Sequence, residues 1–393
     1  MTLRVLSIST LFPNPAQPAF GRFVANQMAA LAAPGDVYLT VIAPIGLPPG
    51  PLKLLPRYHA LRSVPADRDW NGIAVHHPHF TALPGLGDSN PQRLIRAVLP
   101  LVRRLHAERP FDLIDAQFFF PDGPAAAAIA QALGLPLSIK ARGSDIHLWG
   151  ARPSALQQML AAASTSAGLL AVSEALKRDM AALGMPEERI SVHYSGLDHA
   201  RFRSLPRAEA RAALGIDNSP LFICPGALIP IKGQALAVEA LSHLPGAQLA
   251  LAGSGPDEPG LRALAARLGL SDRLIFLGQV SHDALPQWLA AADAVVLPSQ
   301  REGLANVWIE ALACGTPLVI PDIGGAREVL RDASAGRLAK RDPQAIAAAL
   351  AELVANPPSQ AAVARNAARF SWETNAAELS AHFHRLAGKV QPN

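Results

Sequence analysis

The chain has 393 residues, 50% of them hydrophobic and 17% charged, with a net charge of +4. That composition supports a large core and excludes a disordered chain, while the length exceeds one typical domain, so two are expected. The charge excess is too small for a nucleic-acid binder even with a pI near 9.3, and the two cysteines, Cys224 and Cys314, offer neither a disulfide framework nor a zinc spacing.

The N-terminal stretch Met1-Thr-Leu-Arg-Val-Leu-Ser-Ile-Ser9 has a short apolar run followed by Pro13 and Pro15, so it reads as a first buried strand and not as an export signal. Further strand-like runs are Val37–Ala43, Ile73–His77, Asp112–Gln117, Leu135–Lys140, Leu169–Ser173 and Ile190–Tyr194. Between them lie helix-like segments, Phe20–Ala32, Gln92–Glu108, Pro124–Leu133, Ser154–Ser166 and Glu174–Leu183. Short apolar strands alternating with longer amphipathic segments predict βαβ units and a parallel sheet. Pro44 to Trp70 interrupts the pattern with a proline-dense stretch carrying Arg57, Arg62 and Arg68, read as a long loop lining an acceptor site. Within it, Asp67-Arg-Asp69 has the form of a metal-binding pair but follows no apolar strand, and no metal site is expected.

A polar joint near Leu197–Pro206 leads to a second alternating series. Its strands are Leu221–Pro225, Gln248–Ala252, Leu274–Leu277, Ala294–Leu297, Leu318–Ile320 and Gly336–Ala339, and Ser371 to Leu386 reads as a closing helix anchored by Trp372. The longest uncharged segment, Gly123 to Ile139, is shorter than the roughly 20 residues of a membrane span. With two apolar-set cysteines, a reducing cytoplasm is the expected setting.

The most informative stretch is Pro298-Ser-Gln-Arg-Glu-Gly-Leu-Ala-Asn-Val-Trp-Ile-Glu310, continuing to Pro317. It runs from the end of a strand into a helix-compatible segment, 303–314, with Glu302 before the helix and Glu310 inside it. Carboxylates accept hydrogen bonds from sugar hydroxyls, and a helix start suits phosphate oxygens. A bland alternative makes Glu302 a cap and Glu310 a solvated side chain. Lys232, in Gly226-Ala-Leu-Ile-Pro-Ile-Lys-Gly233, follows the first strand of the second series and opens a helix, without the spacing of a Walker A loop. Gly253-Ser-Gly-Pro256 permits a tight turn close to a ligand. Gly21 opens the first helix, and Arg142 and Asp145 follow a strand, where Asp145 can equally be a cap.

Taken together, Pro298-Ser-x-x-Glu-Gly-x-x-Asn-Val-x-x-Glu-Ala-x-Ala-x-Gly-Thr-Pro317, Lys232-Gly233, Gly253-Ser-Gly-Pro256, Gly278-x-Val280 and Gly196-x-Asp198 with Arg201-Phe202 resemble the retaining glycosyltransferases of family 4. The resemblance implies an α/β chain of the GT-B fold, with two facing Rossmann-like parallel-sheet domains and a C-terminal helix crossing back to the N-terminal one. Its domains would be 1–200 for the acceptor, 201–370 for the donor and 371–393 for the helix. Implied too is transfer of a sugar from a nucleoside diphosphate sugar to a glycan or lipid-linked saccharide in cell-surface polysaccharide synthesis, with no further cofactor.

By the same resemblance Glu302 would hold donor-sugar hydroxyls, Glu310 the ribose, and Lys232 the diphosphate. The segment at Val280 would meet the base, Leu304, Ala305 and Asn306 would offer helix-start N–H groups, and Gly21 and Gly253 would allow close approach. Asp145 would lie toward the acceptor. The chain departs from the family in Ala227, where many relatives have Arg, and in a first loop reduced to Gly21. It also has Arg142-Gly-Ser-Asp145 for His-Gly-x-Asp, and Arg142 would serve the phosphates instead. Alternatives on such a scaffold are a sugar-nucleotide epimerase and a non-catalytic nucleotide-sugar binding protein. Separately, Gln92 to Arg109 carries Arg93, Arg96, Arg103 and Arg104 beside an apolar stripe, a pattern that fits either an anionic membrane surface or a covering helix with a solvated basic face.

Overall fold

A computed structural model describes residues 2–83 and 87–388; the expected closing segment 371–393 therefore extends, at 389–393, outside the described residues. The chain forms two compact units, Met1–Gly196 with Trp372–Asn393, and Leu197–Ser371.

The first unit is built on eight strands in the order Ile190–Val192, Gly168–Ala171, Leu137–Ala141, Leu113–Ala116, Leu3–Ile8, Val37–Ile42, Ile73–His76 and Asp67–Trp70. All neighbours are parallel except the last pair. Helix Arg22–Ala32 buries Val24, Ala25, Met28 and Leu31, a stripe at helical spacing, in a core with Val5, Leu39 and Val41. Leu379 and Phe383 of the closing helix, Trp372–Leu386, belong to that same core. Trp372 is its anchor, as the sequence suggests: a Cβ on Gly196 would lie 2.2 Å from the indole, so only glycine admits the ring.

Two buried histidines tie this helix to the sheet. His382 Nε2 lies 3.1 Å from Ser138 Oγ, and His193 Nε2 lies 2.9 Å from the Asn375 carbonyl. Burial, reinforced by Arg385 and Lys140, lowers the His382 pKa to about 4, and burial beside Lys140 lowers that of His193 well below its usual value. Both rings are neutral in the fold, while an unfolded histidine takes a proton near pH 6.5. Their contribution is therefore intact above pH 6.5 and lost as pH falls toward 4, about 3 kcal/mol for His382. Burial raises Asp115 to about 6 and Asp122 to about 7, which works in the opposite direction over the same window. The expected result is therefore local. Amide exchange over Trp372–Leu386, corrected for intrinsic rates, should accelerate between pH 6.5 and 4 while Leu3–Ile8 stays protected. Unchanged protection of the helix at pH 4 would contradict this.

The second unit has six parallel strands, Leu274–Gly278, Gln248–Ala252, Leu221–Pro225, Ala294–Val296, Leu318–Ile320 and Gly336–Leu338, in that order. Short helices Arg207–Leu214 and Gln360–Arg365, which the sequence pattern did not reveal, complete it.

Two expectations are corrected and one pair of alternatives is narrowed. The proline-dense stretch is not one long loop. It holds the strand Ile45–Leu47, a tight turn Gly50–Leu54, a helix Pro56–Arg62 and the strand Asp67–Trp70, with its own small core of Ile45, Leu47 and Val64. Prolines open the helical pieces because they need no N–H there. Asp67 pairs with His76 Nδ1 at 2.6 Å and Asp69 accepts from Gly72 N at 3.0 Å, so the two acids brace a hairpin. The basic helix, Asn90–Glu108, turns Leu94, Val98 and Val102 into its own unit and leaves Arg96, Arg103 and Arg104 exposed, which is the covering-helix alternative. Finally, the helix expected over 303–314 spans only Asn306–Ala313. Gly303 is held outside it, its carbonyl accepting from Gly325 N at 2.7 Å.

Candidate active site

In the second unit the strand order reverses between Leu221–Pro225 and Ala294–Val296: the chain builds outward to one side of the first and then to the other side of the second. The loops leaving the carboxyl ends of these two strands diverge there, and ligands of open parallel sheets bind in that crevice. One loop, Gly226–Lys232, brings Lys232; the other, Leu297–Ala305, brings Glu302. Their side chains meet, Lys232 Nζ donating to Glu302 Oε1 at 2.6 Å. Neither is sealed from water: Lys232 is 25% exposed and Glu302 12%, so the pair is open to a ligand.

Several close backbone contacts fix the two loops against each other. Gln300 N donates to the Ile231 carbonyl at 2.7 Å, and Arg341 Nε to the Pro298 carbonyl at 3.0 Å. Gly233, with a φ of 72°, starts helix Gln234–Leu241 so tightly that a Cβ would lie 2.4 Å from the Pro298 oxygen. The turn at Gly253 is equally crowded, with 1.9 Å from a built Cβ to the Gly226 oxygen. Gly253 thus positions the Lys232 loop. Gly253→Ala should destabilise the second unit by about 2 kcal/mol or more, because the clash is with the Gly226 backbone and not with a side chain that could swing away. Chemical denaturation checks this, and an unchanged midpoint would refute it. Beneath the loop, burial pushes the Cys224 thiol up to about 12, so it is inert.

Glu310 lies on helix Asn306–Ala313, with its carboxylate 14% exposed and one oxygen 3.6 Å from His282 Nε2. At the head of the helix, Ala305 is the N-cap in extended conformation with no side-chain cap, and Asn306 is the first helical residue. The helix-start N–H groups therefore come from Asn306 onward, whereas Leu304 is buried and serves packing. Val280 is half-buried in the loop after Leu274–Gly278, the same loop that carries His282.

In the first unit Gly21 is left-handed (φ 66°), and the space above it is taken by its own chain: a Cβ would lie 2.5 Å from the Leu11 carbonyl. Arg142 does not project freely. Its Nε donates to the Gln117 carbonyl at 3.1 Å, its Nη2 to the side-chain oxygens of Gln27 and Gln117, and its guanidinium stacks on Phe23. Burial lowers its pKa to about 10, opposed by Asp145 and Asp115. Asp145, expected toward an acceptor, is fully buried. It accepts from the backbone N–H groups of Phe119, Arg142, Gly143 and Ile146, so it staples the loop and cannot meet a ligand as placed.

Around Arg142 is a buried polar cluster that the motif reading missed. Lys140 Nζ lies 3.1 Å from Gln27 Oε1 and 2.7 Å from His193 Nδ1, and burial lowers its pKa well below the usual value. Ser7 donates to Asp115 at 3.0 Å, on paired central strands. The available signal was a polar residue inside each of three short apolar strands, Ser7, Asp115 and Lys140. Beside the cluster's strands, a cleft of about 200 Å³ opens between the 12–20 loop and residues 43–46, with the half-exposed Phe20 among its lining.

Two α/β units on parallel or largely parallel sheets fit the GT-B fold of glycosyltransferases. The family described as "Glycosyltransferase Family 4" matches residues 21–201, and "Glycosyl transferases group 1" matches residues 206–370. The chain belongs to this family of glycosyltransferases. It is 39% identical over 217 residues to the D-inositol 3-phosphate glycosyltransferase of Mycolicibacterium vanbaalenii, a match covering 50% of this chain and 48% of that one. The chain thus spans about half the length of that relative. A putative teichuronic acid biosynthesis glycosyltransferase, TuaC of Bacillus subtilis, is 28% identical over 355 residues, 88% of each chain. Among solved structures, HepE of Anabaena in complex with UDP has a TM-score of 0.74 at 22% identity, covering 98% of this chain and 100% of that one. Sucrose-phosphate synthase of Thermosynechococcus elongatus has a TM-score of 0.79 at 20% identity, covering 98% and 99%. At these identities the structures bear on the fold.

Proposed function

We propose that the chain is a retaining glycosyltransferase that uses a nucleoside diphosphate sugar and transfers its sugar to a glycan or lipid-linked saccharide in polysaccharide synthesis. The observation that carries this is the Lys232–Glu302 pair at the strand-order reversal, with Glu310 on the helix that follows. Supporting it, HepE has been solved with UDP-glucose, and TuaC is named for teichuronic acid biosynthesis. In this reading Lys232 and the N–H groups from Asn306 onward carry the diphosphate charge, so no metal is required. The anomeric carbon–oxygen bond breaks with its electron pair going to the diphosphate. The acceptor hydroxyl bonds to the anomeric carbon on the same face and passes its proton to the departing phosphate oxygen. Glu302 holds sugar hydroxyls, and Arg142 acts through the Gln27–Gln117 cluster as a positioning group. Epimerase and binding-protein readings lose ground to the family membership. A thermal-shift panel of UDP, GDP and ADP sugars tests the proposal. Stabilisation by one donor, followed by acceptor-dependent release of its nucleoside diphosphate, is expected; no stabilisation by any donor would reject it.

No described helix is long and apolar enough to cross a membrane. For a lipid-linked acceptor, the surface suited to an anionic bilayer is the 50–62 segment and not the Asn90–Glu108 helix. Leu52, Leu54 and Leu55 are 49%, 60% and 39% exposed there, beside Lys53, Arg57 and Arg62. Pelleting with phosphatidylglycerol vesicles should fall about tenfold in Leu54→Ser, Leu55→Ser and persist in Arg103→Glu, Arg104→Glu. The reverse ranking would return the contact to the helix.

A further inference from the structure

We infer that His282, held by Arg201, is a positioning residue that aims the Glu310 carboxylate at the donor nucleotide. The inference rests on the reading of Glu310 as a nucleotide contact and adds the residues that make it competent.

The geometry is a chain from Arg201 through His282 to Glu310 within the second unit. Arg201 Nη1 lies 2.8 Å from His282 Nδ1. A guanidinium has donors only, so Nδ1 must be the acceptor, and the single ring proton of neutral His282 sits on Nε2. Nε2 is the atom 3.6 Å from Glu310 Oε1, just outside hydrogen-bond range, so a small rotation of either side chain brings the N–H onto the carboxylate. Arg201 is fixed in turn by Asp283 Oδ1 at 3.3 Å and Asp198 Oδ2 at 4.0 Å. Phe202 packs edge-to-face on the imidazole, centroids 5.0 Å apart at 82°. The backbone of His282 is pinned as well, because Ser281 accepts from Ala284 N and Leu285 N at 3.0 Å.

This arrangement explains why Arg201 stands where it does. An acidic side chain on the middle of a short helix has free rotamers and water around it. A donor N–H beside one oxygen selects the rotamer and leaves the other oxygen to accept from a ligand hydroxyl. The tautomer that supplies this donor is set by Arg201, whose own partners are His282, Asp198 and Asp283. Ordering an acceptor before the ligand arrives lowers the entropic cost of binding.

Isothermal titration with UDP, GDP and ADP identifies the tightest of the three for the wild type, and that nucleotide is used throughout. His282→Leu should weaken it about tenfold with unchanged melting temperature of the free protein. His282→Gln keeps both an acceptor toward Arg201 and a donor toward Glu310, and should bind within about twofold of wild type. Arg201→Leu should weaken binding although His282 and Glu310 remain. Combined with Glu310→Ala, His282→Leu should add no further loss, because its effect passes through Glu310. Nitrogen-15 spectra of the free protein should show Nε2 protonated and Nδ1 bare. Wild-type affinity in His282→Leu, additive losses in the double variant, or a proton on Nδ1 would each overturn the inference. The nitrogen spectra and the Gln variant decide the matter if His282→Leu does not fold. If Glu310→Ala itself binds like wild type, the reading of Glu310 fails; if Glu310→Ala weakens binding and His282→Leu does not, the inference alone fails.

Discussion

Glu302→Ala should lower turnover by about a hundredfold while nucleotide affinity is unchanged or tighter. The two effects separate because of the pair seen here. Glu302 accepts from Lys232 Nζ at 2.6 Å. Removing the carboxylate costs the sugar-positioning hydrogen bonds, and charge-assisted bonds of that kind contribute about 1.5–3 kcal/mol each. It also frees an ammonium that is 25% exposed, so water solvates it and no buried charge is stranded. A lysine without its acid attracts a diphosphate more strongly. Lys232→Ala should do the reverse, weakening nucleoside diphosphate binding about tenfold or more. Steady-state kinetics beside nucleotide titration check both. Wild-type turnover in Glu302→Ala would remove its assigned role.

The second large effect is on affinity. Glu310→Ala should raise the dissociation constant of the nucleoside diphosphate about tenfold to a hundredfold, with turnover at saturating donor little changed. The substitution lies inside helix Asn306–Ala313, and alanine is the strongest helix former, so the free protein should melt no lower than wild type. A loss of binding with intact melting cannot be blamed on misfolding. Unchanged nucleotide affinity would show that Glu310 is a solvated helix residue, as the bland reading had it.

The second unit was the more legible half. Leu221–Pro225, Gln248–Ala252 and Leu318–Ile320 fall where their apolar runs predict, because strands buried on both faces read as continuous hydrophobic stretches. The Lys232–Glu302 meeting was not legible, because it depends on Leu221–Pro225 and Ala294–Val296 being neighbours in the sheet and on two loops far apart in sequence packing together. Helix Asn306–Ala313 starts later than its pattern suggests because Gly303 is bonded to Gly325, a tertiary contact that no local periodicity records.

The first unit hid more. Asn71-Gly72 carries the hairpin signal that places Asp67–Trp70 antiparallel to Ile73–His76, and proline density masked it. Asp145 and Arg142 looked like ligand groups from their place after a strand. Four backbone N–H groups claim the first, and Gln27 with Gln117 claims the second. His282 escaped notice because it follows a plain loop, and its meaning comes from Arg201, some eighty residues earlier in the chain.

The most direct measurement is a crystal of the wild-type chain soaked with the nucleotide sugar that gives the largest thermal shift. The account predicts the diphosphate on Lys232 and the N–H groups from Asn306 onward, sugar hydroxyls on Glu302 and ribose hydroxyls on Glu310. A donor bound elsewhere, with neither carboxylate touching it, would contradict the account.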